Sequence, residues 1–60
     1  PEPWLKLRGD LLAAAGRSAE ARAAYAAAQA AIAALPEWLA QSADTARLSA
    51  ELARLTSALP

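Results

Sequence analysis

The sequence predicts an all-α fold, a helix-turn-helix hairpin followed by a third packed helix. Alanine makes up about a third of the 60 residues, and leucine dominates the other apolar side chains. The β-branched residues are only Ile32, Thr45 and Thr56, so the composition favours helix over strand. Apolar residues recur at three- and four-residue intervals, as on a helix face. Gly16 and Pro36 interrupt this pattern and predict the ends of the first two helices.

The first predicted helix follows a stiff Pro1-Glu2-Pro3 lead-in and carries two rows of large apolar side chains. One row is Trp4, Leu7 and Leu11, and the second is Leu5 and Leu12. Gly9 lies inside this helix, where it costs about 1 kcal/mol relative to alanine. We therefore expect Gly9 to permit the close approach of another backbone. Gly16 occupies the position just past the helix, where a positive φ is needed.

The second helix is predicted from about Ala19 to Ala34 or Leu35, with Ser18 as its N-cap. Its face consists mostly of alanine, which lets a neighbouring helix approach closely. The stripe expected to face that neighbour is Ala21, Tyr25, Ala28 and Ile32. Arg22 and Gln29 are expected on the more solvent-exposed side of this helix.

Beyond Pro36, residues 37–43 are predicted to form a connector that contains at most a single helical turn. Ser42 or Asp44 then caps a third helix that ends near Ala58. This helix carries an amphipathic leucine stripe, which is either an intramolecular cover or a seam that faces a partner. The stripe consists of Leu48, Leu52, Leu55 and Leu59. The chain is thus divided into a hairpin (1–36), a connector (37–43) and a C-terminal capping helix (44–60).

The segment 5–34 resembles a tetratricopeptide repeat, a helix-turn-helix unit of 34 residues. The resemblance rests on small, aromatic and turn positions, with large apolar positions in the first helix. These residues are Leu5, Gly9, Leu12, Gly16, Ala21, Tyr25 and Ala28. Two positions depart from the family pattern, because Arg8 replaces a leucine and Ala33 replaces a proline. The second helix is therefore expected to be about one turn longer than in the family, and the resemblance covers about half the chain.

The resemblance implies a binding groove lined by the first helix. Carried over by position, this groove would present Lys6, Asp10, Ala13 and Ala14 to a peptide or a partner helix. Alternatively, Lys6 and Asp10 are solvated charges joined in a weak i,i+4 pair. Further expected partner contacts are Trp38, Leu48, Leu52 and Leu55. For Trp4 and Trp38, a role in the core or as capping groups is favoured over one as binding hot spots.

Composition and spacing argue against several other classes of function. The chain has no cysteine and no histidine, its acidic residues are scattered, and it has no glycine-rich phosphate loop, so we expect neither an enzyme nor a metal or cofactor site. Its net charge is zero without a basic stripe, which argues against nucleic acid. A resemblance to the DNA-binding helix-turn-helix fails at Leu12, which is too large, and at Arg22, which is charged. The apolar run 23–35 is too short for a membrane span.

These observations predict a protein-protein interaction or scaffold module. The resemblance implies the C-terminal end of a larger repeat protein or a small subunit of an assembly, since one such unit cannot bury its apolar faces alone. The expected partner is a peptide, neighbouring repeats or a larger complex. The alternative is a homo-oligomer, a helical bundle that self-associates through the leucine stripe. Because the chain begins with Pro1 and contains no methionine, we expect a piece of a longer or processed protein.

Overall fold

The computed structural model describes the backbone of residues 2–60 and the side chains of residues 4–60. Over residues 2–60 the regular structure is helical, without a strand. The helices are α1 (Glu2–Ala14), α2 (Ser18–Ala33), the single-turn α3 (Glu37–Ala40) and α4 (Ala43–Ala58). α1 and α2 form a hairpin, and α4 packs against α2. The predicted all-α hairpin followed by a packed helix is confirmed.

The turn between α1 and α2 depends on Gly16, whose φ of 78° lies in the left-handed region, as predicted. The Gly16 amide donates to the Ala13 carbonyl at 3.0 Å, and the Arg17 amide donates to the Leu12 carbonyl at 2.9 Å. This pair of hydrogen bonds is a Schellman motif, which satisfies carbonyls at the helix end. The predicted Ser18 cap is wrong, because the turn is one residue shorter than expected. Arg17 takes the N-cap position without a side-chain cap, and Ser18 is already helical.

Proline and serine set the remaining helix boundaries. α2 ends at Ala33, slightly earlier than expected, and Pro36 adopts the extended backbone that precedes the single turn of α3. The predicted N-cap of the last helix is confirmed at Ser42, whose Oγ accepts a hydrogen bond from the Thr45 amide at 3.2 Å. Asp44 lies within the first turn of α4 instead. A serine N-cap such as Ser42 typically contributes about 1 kcal/mol to stability.

The core lies where α4 covers one side of the hairpin. Its buried members are Ala21, Tyr25, Ala28, Ile32 and Leu52. Partly buried side chains from α1 and from the C-terminal segment pack around them: Leu5, Leu12, Ala13, Leu48, Leu55 and Leu59. The leucine stripe of α4 is therefore an intramolecular cover. The prediction that Leu52 contacts a partner is corrected by the structure, in which this side chain is fully buried in the chain's own core.

A polar pair that sequence patterning did not reveal joins α2 to α4. Gln29 Nε2 donates to the Ser49 carbonyl oxygen at 2.9 Å, and Ser49 Oγ donates to Gln29 Oε1 at 2.9 Å. Gln29 is only half-exposed. It therefore belongs to the α2–α4 contact, where its amide is satisfied on both sides and fixes the register of the two helices.

Neither tryptophan belongs to the core, which is one of the two roles favoured for them. Trp4 is 62% exposed and Trp38 is 75% exposed. Leu7 and Leu11 share the exposed side of α1 with Trp4. The core instead takes the second apolar row of α1, Leu5 and Leu12. The largest apolar groups of this small chain are thus left on its surface.

Candidate functional site

The predicted groove residues Lys6 and Asp10 meet in an ion pair that also holds the buried tyrosine. Lys6 Nζ lies 2.9 Å from Asp10 Oδ2. The other carboxylate oxygen, Asp10 Oδ1, accepts a hydrogen bond from the Tyr25 hydroxyl at 2.5 Å. Both oxygens of Asp10 are therefore engaged within the chain. The i,i+4 pair expected in the alternative interpretation is present, and Asp10 in addition links α1 to α2 through Tyr25.

The electrostatics of this network follow from burial and from the hydrogen bonds to Asp10. The hydrogen bond from Tyr25, followed by that from Lys6, holds the pKa of Asp10 below its ordinary value, despite partial desolvation. Burial, together with the bond to Asp10, raises the pKa of Tyr25 from 10.0 to about 12. The pair is thus stable with Tyr25 neutral and Asp10 ionised. Tyr25 has no tendency to act as a base near neutral pH.

The position of Tyr25 depends on the absence of a side chain at Gly9. A Cβ placed on Gly9 would lie 2.5 Å from Tyr25 Cε1 and 2.7 Å from Cδ1, well inside normal contact. The sequence correctly indicated a close approach at Gly9. The neighbour, however, is the ring of Tyr25 and not another backbone. Gly9 is therefore a structural requirement of the Asp10–Tyr25 contact.

The other predicted contact residues lie in different environments. Ala13 is half-buried against the core, whereas Ala14 is exposed at the end of α1. Leu48 and Leu55 are half-buried on either side of Leu52. Trp38 is exposed on α3. The structure brings Lys6 and Asp10 together, but it does not gather all the predicted residues into one surface.

Sequence reasoning missed a surface on α1 that we call the α1 ridge, formed by Trp4, Leu7 and Leu11. Each of these side chains is at least half exposed, and they lie one helical turn apart. Gly9 provides the signal that could have identified the ridge. Leu5 and Leu12 stand four residues before and three residues after Gly9, on the face that must meet α2. The remaining apolar row is therefore left facing outward.

Beside the ridge lies an open cleft of about 220 Å³ between α1 and α2. It is lined by Leu5, Arg8, Glu20, Ala23, Ala24 and Ala27, and no residue of α4 contributes to it. The volume is below the roughly 300–1,000 Å³ typical of small-molecule sites. The cleft thus suits a single protruding side chain better than a cofactor.

The charges at this cleft are not balanced. The Glu20 carboxylate is already engaged by Arg17, whose Nη2 lies 2.6 Å from Glu20 Oε1. Arg8 is exposed and forms no ion pair with another side chain of residues 4–60. An uncompensated guanidinium therefore lies next to the exposed apolar side chains of the α1 ridge.

The part of the chain that the structure describes contains neither a metal-binding cluster nor a helix that could span a membrane. Among those residues, no group of three acidic or other ligating side chains could hold a metal ion. Within the same residues, no helix has both the length and the apolar character needed to cross a membrane. The feature that remains as a candidate site is the α1 ridge with its adjoining cleft.

Comparisons with protein-family models, with curated proteins and with solved structures found no match to this chain. The relation to tetratricopeptide repeats therefore remains a prediction from the residues quoted above.

Proposed function

We propose that this chain is a non-catalytic protein-protein interaction or scaffold module. The observation that carries the proposal is the α1 ridge, which exposes Trp4, Leu7 and Leu11 along one side of a helix. Large apolar side chains grouped on a surface are typical of a contact with another protein. Complete burial of each such side chain would contribute about 1.5–3 kcal/mol.

The resemblance to tetratricopeptide repeats adds a second line of support. In such arrays each helical hairpin packs against a neighbour, and a terminal helix covers the last hairpin. Here α4 covers one side of the hairpin, whereas the ridge and cleft on α1 and α2 are open. A role at the C-terminal end of a larger repeat protein, or as a small subunit of an assembly, is consistent with this arrangement.

The alternative function, self-association through the leucine stripe of α4, has less support. Leu52 at the centre of the stripe is fully buried, and Leu48 and Leu55 pack against the same core. A seam that used these side chains between two copies would first have to remove α4 from the hairpin. We therefore favour an interaction through α1.

Site-specific photo-cross-linking tests the proposal in cells that express the chain. We would place benzoylphenylalanine at Leu7 on the ridge and, as a matched control, at Ala53, which is exposed on α4. A discrete protein adduct from Leu7, but not from Ala53, is the expected result. If neither position forms an adduct with another protein, the proposed function is wrong. Adducts from Ala53 alone would place the contact on α4 instead of α1.

A further inference from the structure

We infer that the α1 ridge and its cleft bind an amphipathic helix of a partner protein, with a partner carboxylate pairing with Arg8. This inference rests on the proposed function and specifies the chemistry of the partner. It assigns the docking surface to Trp4, Leu7 and Leu11, with Arg8 as the residue that selects for acidic partners.

The shape of the surface favours a helix as the occupant. Trp4 and Leu11 are seven residues apart, so the ridge extends for roughly 10 Å along α1. An extended strand binds by adding hydrogen bonds to a sheet edge, and residues 2–60 contain no strand that could offer one. A helix satisfies its own backbone and needs only side-chain contacts. The alanines of α2 that line the cleft, Ala23 and Ala27, allow it to approach closely.

The cleft provides a place for one anchoring side chain of that helix. The cleft has a volume of about 220 Å³ and lies between Leu5 on α1 and Ala24 on α2. Apolar anchors at helical spacing are how an amphipathic helix binds a groove. An aliphatic side chain of the partner entering this cleft would bring its neighbouring turns over Trp4 and Leu11.

Arg8 sets the charge of the partner. It follows Trp4 by one helical turn and precedes Leu11 by another, so a helix that covers the ridge also covers the Arg8 stem. A guanidinium removed from water without a partner is costly, whereas a carboxylate can bind it through two parallel hydrogen bonds. Glu20, the acidic residue that lines the cleft, is engaged by Arg17. The compensating carboxylate must therefore come from the partner.

A second copy of the chain fits this surface less well. Two α1 ridges packed antiparallel about Leu7 would place Arg8 of each copy near Arg8 of the other. With the two-fold axis at Leu7, the two guanidiniums lie on the same edge of the interface, and like charges brought together at an interface are unfavourable. Charge complementarity thus favours a different protein with an acidic, amphipathic helix.

Titration of the 60-residue chain with two synthetic peptides tests the inference. Both peptides are three-heptad helices with leucine at positions a and d, and positions e and g carry glutamate in the acidic peptide and lysine in the basic one. Trp38→Phe leaves Trp4 as the only indole and hence as the reporter. We expect the acidic peptide to shift Trp4 emission to the blue and to bind about tenfold more tightly than the basic peptide.

Variants of Arg8 and Arg22 separate selection by charge from non-specific apolar binding. Arg8→Glu should reverse the preference, so that the basic peptide binds more tightly. Arg22→Glu, an exposed arginine of α2 outside the cleft, is the matched control and should keep the original preference. Circular dichroism establishes that both variants remain helical. If Arg8→Glu loses helicity, Arg8→Gln takes its place and should abolish the preference.

Three results would overturn the inference. These are an unchanged Trp4 emission with both peptides, equal affinity for both, or a Trp4 shift that depends on the concentration of the chain alone. The last result would identify a second copy as the occupant. A Trp4→Phe chain, in which Trp38 is the reporter, should give no shift. If the peptides fail but cross-linking in cells still captures a protein, the inference falls and the proposed function stands.

Discussion

The ring of Tyr25 lies directly against the bare Cα of Gly9, and the Tyr25 hydroxyl donates to the carboxylate of the next residue, Asp10. This contact holds the two helices of the hairpin together. It also fixes the rotation of α1, because the face that carries Gly9 must point towards α2. Trp4, Leu7 and Leu11 are left outside as a consequence.

Gly9→Ala should destabilise the chain, although alanine is the better helix former. The new Cβ would collide with the Tyr25 ring, and such overpacking typically costs about 1–3 kcal/mol. Urea unfolding followed by circular dichroism measures the change. In a Tyr25→Leu background the sign should reverse, because the helix propensity of alanine then dominates. Destabilisation of equal size in both backgrounds would show that the ring is not the cause.

Tyr25 is the only tyrosine, so its ionisation can be followed by tyrosinate absorbance in the intact chain. We expect an apparent pKa of about 12, raised mainly by burial and further by Asp10. Asp10→Asn should lower the pKa only in part, since burial remains. A folded chain whose tyrosine titrates near 10.0 would contradict the described burial.

The same shift makes stability depend on pH at the alkaline end. The folded chain holds the Tyr25 proton more tightly than the unfolded chain does. The contribution of Tyr25 to the free energy of unfolding is therefore complete below pH 10.0 and is lost as the pH rises towards about 12. Thermal unfolding across that range should show a steeper loss for the native chain than for Tyr25→Phe. Parallel curves for the two chains would argue against the linkage.

The Gln29–Ser49 pair should contribute a measurable coupling between α2 and α4. A double-mutant cycle with Gln29→Ala and Ser49→Ala is expected to give an interaction energy of about 1 kcal/mol. The Ser49 carbonyl remains in both variants, so the cycle reports the bond from Ser49 Oγ to Gln29 Oε1. Additive effects would mean that this bond does not fix the packing of α4.

Local chemistry allowed several features to be predicted from the sequence. Gly16 and Ser42 act through their own backbone conformation or through a neighbouring amide, so one residue is enough to indicate each. The start of α2 depends on how tightly the turn closes, and for this reason the predicted N-cap, Ser18, lies one residue after the actual N-cap, Arg17. Local sequence patterns therefore predict which elements form better than they predict the residues at which those elements begin and end.

The candidate site could not be predicted in the same way. Both apolar rows of α1 have helical spacing, and the pattern alone does not show which one faces α2. The choice depends on the contact of Gly9 with Tyr25, which are distant in sequence. Likewise, the role of the Gln29 amide appears only when Ser49 is brought to it by the fold. Long-range contacts, not local propensity, determine which side chains remain free to bind.

Paired alanine substitutions at Leu52 and Leu11 test most directly whether α4 closes the core and the ridge remains free. Leu52 is fully buried, whereas Leu11 is 63% exposed. Thermal and urea unfolding should show that Leu52→Ala costs about 2–5 kcal/mol and that Leu11→Ala stays within about 0.5 kcal/mol of the native chain. A Leu11→Ala loss as large as that of Leu52→Ala would contradict a free ridge, and a Leu52→Ala variant as stable as the native chain would contradict a core closed by α4.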